Sequence, residues 1–162
     1  MAKIVVFEDS RVILDIIKVE LAGHEIVGWG ETLAEAFSVL GQLACGDLEA
    51  DFVLVDGNLK VDEVDPVFRF ASPSLTITPE NNRLHVPLSA ANRAEIRGSS
   101  YGQPGRGRDA KAIIDFMQLQ NIITQTVGIS ADPMHYNGVR VDIDLTKDNL
   151  INLAATLQSS ND

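Results

Sequence analysis

Lys3 to Gly23 reads KIVVFEDSRVILDIIKVELAG, and the order of its parts decides the fold. KIVVF is too short for a helix and rich in β-branched residues, so it reads as a strand. Glu8 and Asp9 close it. From Ser10, a residue suited to capping a helix, Val12, Ile13, Ile16, Ile17, Val19 and Leu21 recur at steps of three and four until Gly23 ends the pattern. A helix therefore follows the strand, with two acids at the junction.

The same alternation continues outward. His24 to Gly30 (HEIVGWG) is a weaker strand, Leu33 to Leu43 a helix with Leu33, Phe37 and Leu40 on one face, and Asp51 to Val55 (DFVLV) a third strand. Beyond an interruption, the pattern predicts a helix over Ala110 to Asn121, strands over Gln125 to Ile129 (QTVGI) and Val139 to Leu145, and a last helix over Asp148 to Leu157. Strands alternating with helices imply a parallel sheet covered on both faces and joined by right-handed crossovers. The expectation is an α/β, flavodoxin-like, doubly wound sheet of five parallel strands in the order 2-1-3-4-5.

The interruption has a different composition. Residues 66 to 108 hold six arginines (Arg69, Arg83, Arg93, Arg97, Arg106 and Arg108) against Glu80 and Glu95, a balance of +4 in a chain whose net charge is -10. Five of the six prolines lie there, and the segment ends in the glycine-rich GSSYGQPGRGRD. We read residues 62 to 107 as an insertion within a single domain spanning 1 to 162. Inside it, Leu75 and Ile77 alternate with Thr76 and Thr78, Glu80 to Arg83 offers a turn, and Leu84, Val86 and Leu88 alternate again, which predicts a β-hairpin. A two-stranded hairpin needs its apolar face covered, so docking on the domain or on a second copy, as a homodimer, is expected, and with it control over which partner reaches Asp56. Its glycines do not follow a strand at the spacing of a phosphate-binding loop.

Composition excludes several classes. The chain has 162 residues, 45% hydrophobic, which suits one domain with a real core and not a disordered chain. No run approaches the length of a membrane span, and MAKIVVFED lacks the pattern of a signal peptide, so a cytoplasmic protein is expected. Cys45 is the single cysteine, and His24, His85 and His135 are too scattered for a zinc motif. The negative charge disfavours nucleic acid as a partner and favours a divalent cation at clustered carboxylates.

Such a cluster is expected at the carboxyl ends of the strands, where open α/β sheets bind ligands. The first strand ends in Glu8 and Asp9, the third in Asp56, the fourth in Ser130 and the fifth in Lys147. Three carboxylates brought close repel one another unless a cation neutralises them, and oxygen ligands suit Mg²⁺. Lys147 and Ser130 add a cation and a hydroxyl, which completes a cradle for a phosphoryl group with a carboxylate as nucleophile. Each residue alone has a duller reading: acids at a helix start, a turn at DGN, a serine cap, a solvated lysine.

KIVVFEDS, DFVLVDGNL, GISAD and VDIDLTKD together resemble, in order, the motifs of response-regulator receiver domains of two-component signalling, over roughly residues 3 to 61 and 108 to 158. The resemblance implies that Asp56 is the phosphoacceptor, that Glu8, Asp9, Asp56 and the backbone carbonyl of Asn58 hold Mg²⁺, and that Ser130 and Lys147 hold phosphoryl oxygens. It implies a histidine kinase or phosphotransfer protein as donor, and an acceptor that promotes its own phosphorylation and possible dephosphorylation and is not otherwise an enzyme. Asp148 follows Lys147 where the family has a proline, and Asp144 replaces its aromatic switch residue, so the usual rotamer switch is expected to be missing. The chain stops soon after Lys147, which leads to the expectation of a stand-alone receiver without a DNA-binding domain. The alternative is a pseudo-receiver, a protein-binding or dimerisation module of the same fold without phosphorylation.

Overall fold

The computed structural model describes residues 1–60 and 107–159, and between them the backbone of two short strands. In chain order the elements are β1 (Lys3–Phe7), α1 (Arg11–Glu20), β2 (Glu25–Gly30), α2 (Leu33–Cys45), β3 (Phe52–Val55), β4 (Thr76–Thr78), β5 (Arg83–His85), α3 (Arg108–Leu119), β6 (Gln125–Gly128), β7 (Ile143–Asp144) and α4 (Leu153–Ser159). One sheet has the order β2-β1-β3-β6-β7, all parallel, which is 2-1-3-4-5 when its own strands alone are counted. The flavodoxin-like architecture read from the sequence is the observed one.

Alternation along the central strands divides the core in two. Val5, Phe7, Val53 and Val55 face one side, where Leu33, Phe37 and Leu40 of α2 and Ile113, Phe116 and Met117 of α3 cover them. Ile4, Val6, Phe52 and Leu54 face the other, beneath Leu14, Ile17 and Leu21 from α1 and its end, and Leu150, Leu153 and Leu157. Burial of both faces is why these strands are continuous apolar runs rather than alternating ones. Thr32 caps α2 in a reciprocal capping box with Glu35, and Gly46 ends that helix at φ 79°, a left-handed conformation that suits glycine.

Two expectations need correction at the C-terminal side. The fifth sheet strand is Ile143–Asp144 only, not Val139 to Leu145. Val139 is drawn away because its N–H donates to the carbonyl of Met134. The last helix begins as a 3₁₀ helix, Lys147–Asn152, and becomes α-helical only from Leu153. The crossover from β6 to β7, where the sequence reading assigned no element, carries a 3₁₀ turn, Met134–Asn137. Gly128 explains how so small an element covers the sheet: a Cβ there would come within 2.5 Å of Met134 Cγ, so only glycine lets fully buried Met134 sit directly on the strand.

In the basic segment, β4 and β5 pair antiparallel, with Ile77 opposite Leu84, as the hairpin reading expects. Docking of its apolar face, and the homodimer expected from it, lie outside the described residues. Among those residues no helix is long and apolar enough to cross a membrane.

Candidate functional site

β1 and β3 are adjacent and in register, Phe7 beside Val55, so the residues that follow them meet at one edge of the sheet. One oxygen from each of Glu8, Asp9 and Asp56 lies within 4.8 Å of the others. Glu8 is 0% exposed and Asp56 6%. Backbone donors fix both: the Ser10 N–H donates to Glu8 Oε1 at 2.9 Å, and the Gly57 N–H to Asp56 Oδ1 at 2.7 Å.

Lys147 reaches the same pocket from the far side of the sheet. Its Nζ lies 3.1 Å from Asp56 Oδ2 and 3.2 Å from Glu8 Oε2. Asp148 follows it in the chain, and backbone hydrogen bonds to the neighbouring strand aim it. Leu145 N–H donates to the Gly128 carbonyl at 2.8 Å and Lys147 N–H to the Ser130 carbonyl at 3.0 Å, which extends the β6–β7 pairing up to the first residue of the 3₁₀ helix. Ser130 lies on the loop after β6, where a Cβ at Gly57 would come within 2.7 Å of its Oγ, so the hydroxyl faces the loop after Asp56. Asn58 is exposed on that loop. The structure thus gathers Glu8, Asp9, Asp56, Ser130 and Lys147 at one edge, with Asn58 beside them.

The electrostatics are unbalanced. Burial, followed by the neighbouring Asp56 charge, pushes the Glu8 carboxyl up from 4.5 to about 7 despite Ser10 and Lys147. Burial also raises Asp56, against the opposing pull of Lys147. Burial lowers Lys147, but the charges of Asp56 and Glu8 outweigh it, so the ammonium is held above its ordinary value. Glu8 Oε2 is buried without a hydrogen bond although Lys147 Nζ is within ion-pair range. A buried, unsatisfied carboxylate oxygen among three clustered acids fits a small divalent cation with oxygen ligands. Glu8, Asp9 and Asp56 are the residues that could hold it.

Two features escape the sequence reading. Asp144, read only as the loss of an aromatic residue, accepts from Met134 N–H at 2.9 Å and His135 N–H at 3.2 Å, with His135 Nδ1 at 2.7 Å. It pins the 3₁₀ turn of the β6–β7 crossover. Asp109, 1% exposed at the start of α3, accepts from the Leu59 N–H at 2.8 Å. In sequence it is only an acid in a helical first turn, a place where dipole complementation is commonplace.

No protein-family model and no curated protein sequence matches the chain. Among solved structures it is similar to the RcsB response regulator of Salmonella typhimurium, described for conformational dynamism in DNA interaction, at a TM-score of 0.57 and 11% identity. That match covers 99% of this chain and 60% of the other, so the chain spans less than two thirds of RcsB's length. It is also similar to a point mutant of the receiver domain of the histidine kinase CKI1 from Arabidopsis thaliana, at a TM-score of 0.50 and 11% identity over 99% of this chain and 89% of that one. The fold is that of a response-regulator receiver domain.

Proposed function

We propose that the protein is a phosphoryl acceptor of a two-component or phosphorelay system. An Asp56 oxygen attacks the phosphorus of a phosphohistidine on a histidine kinase or phosphotransfer protein. The P–N bond breaks as the P–O bond forms, and the imidazole leaves with the electron pair. The observation that carries this reading is the Asp56 carboxylate within a trio of acids and 3.1 Å from Lys147. Burial raises the Asp56 carboxyl, and Lys147 works against that rise, in favour of the anionic nucleophile. Once the phosphoryl group is attached, the same ammonium and the Ser130 hydroxyl are placed to hold its oxygens. Glu8, Asp9 and Asp56, with the Asn58 carbonyl, would hold Mg²⁺. When bound, Mg²⁺ supplies positive charge against the phosphoryl oxygens.

Output through an aromatic rotamer has no counterpart, because Asp144 occupies that position and is tied to the Met134–Asn137 turn. The signal therefore belongs to the loops after Asp56 and Ser130 and leaves through protein contacts. Acetyl phosphate with Mg²⁺, followed by intact mass, tests the proposal. Wild type should gain one phosphoryl group and Asp56→Asn none. Label that survives the substitution moves the acceptor elsewhere, and a wild type that takes no label favours the pseudo-receiver.

A further inference from the structure

The loop after Asp56 is held by the start of α3. The Gly57 carbonyl accepts from both the Asp109 and Ala110 N–H groups, each at 3.2 Å. Two residues on, the Leu59 N–H donates to Asp109 Oδ2 at 2.8 Å, while Arg108 Nε lies 3.2 Å from Asp109 Oδ1. Asn58 is thus flanked on both sides by residues bonded to one helix start. Gly107, at φ 79°, sits in tight quarters, since a Cβ would come within 3.0 Å of Asn137 and 3.1 Å of Val139. The start of α3 is therefore packed closely against the turn beyond β6, on whose loop Ser130 lies. An acid in a helix first turn ordinarily serves its own helix. Here its carboxylate reaches a backbone donor fifty residues away in sequence, from a site almost closed to water.

We propose that Asp109 is a positioning residue for the metal site. Its carboxylate fixes the Gly57–Leu59 loop, and with it the Asn58 carbonyl and the Asp56 carboxylate that Gly57 N–H orients. This rests on the reading that Glu8, Asp9 and Asp56 bind Mg²⁺. It adds that the start of α3 and the metal site share one hydrogen-bonded frame, so displacing that helix start changes metal affinity.

Calorimetric titration of the full chain with Mg²⁺, well below each variant's melting temperature, tests it. Asp109→Ala should weaken binding by about tenfold or more, the usual effect of losing a group that orients a metal ligand. Asp109→Asn, which keeps an oxygen for the Leu59 N–H, should recover most of the loss. Acetyl-phosphate labelling of Asp109→Ala should return toward the wild-type rate at saturating Mg²⁺. A brace with a purely structural role would lower the melting temperature and leave the dissociation constant of the folded protein alone. If the alanine variant does not fold, Asp109→Glu displaces the carboxylate by one methylene and should weaken Mg²⁺ in the same direction. Wild-type binding with unchanged affinity in a folded Ala or Glu variant overturns the role of Asp109 and leaves the acceptor reading standing. A wild type that does not bind Mg²⁺ overturns both.

Discussion

Glu8 and Asp109 are equally buried carboxylates beside the loop that follows Asp56, and the fold provides for them differently. Asp109 has a backbone donor on one oxygen and a guanidinium on the other. Glu8 has a backbone donor on one oxygen, none on the other, a like charge nearby and a single ammonium shared with Asp56. Burial alone therefore does not mark a functional acid. What separates the two is desolvation left uncompensated, which costs stability in the resting protein and is retained where a ligand can relieve it.

The comparison can be broken most directly at Asp109. Asp109→Ala strands the Leu59 N–H and the Arg108 guanidinium, and urea melts should show a loss of about 3 kcal/mol. A loss below about 0.5 kcal/mol would mean that Asp109 is no better provided for than Glu8. Mg²⁺ at 100 times its dissociation constant should stabilise wild type by about 2.7 kcal/mol, and Asp9→Ala should lose most of that gain in the same thermal melts.

Glu8 should respond to pH in the opposite sense from an ordinary acid. Its carboxyl binds a proton more tightly in the folded chain, so the folded state carries more protons between pH 4.5 and about 7 and stability falls as pH rises through that window. Glu8→Gln should remove this slope and raise metal-free stability at pH 8 by up to about 3 kcal/mol, with little change at pH 4.5. Equal slopes in the two proteins would place the strain elsewhere. The smallest effect belongs to Asp144. Burial would raise its carboxyl, but the Met134 and His135 donors outweigh it and hold it below its ordinary value. Its contribution is therefore present above pH 3.8 and is lost as pH falls through that lower value. Asp144→Ala should cost about 1 kcal/mol at neutral pH, as for a lost cap, with faster amide exchange confined to the Met134–Asn137 turn.

How far the sequence could be read follows from the same contrast. KIVVF, DFVLV and QTVGI are buried on both faces, and a short β-branched run has few other places to go, so the sheet and its edge of acids followed from pattern. The β6–β7 crossover did not. Val139 and Val141 look like strand residues, whereas the backbone of Val139 is claimed by Met134 and the turn is paid for by Gly128, a packing relation between residues that periodicity cannot register. Lys147 was expected at the site, but its aim depends on the Ser130 carbonyl, just past the neighbouring strand. Asp109 went unnoticed because its partner lies fifty positions away. The extent of the basic segment as a unit of its own, and what its hairpin touches, fall outside the described residues.

The pairing of β3 with β6 has a bearing on how the molecule assembles. Phe52 lies beside Gln125 in that register, whereas β1, β2 and β3, with α1 and α2, are drawn from one uninterrupted stretch. Contacts between residues close in the chain form readily, and those that close a long loop come late. All three acids belong to the first fifty-six residues and Lys147 to the last sixteen. Counter-charge for the acids is thus a long-range contact, supplied by the part of the chain that joins the sheet through its most distant pairings.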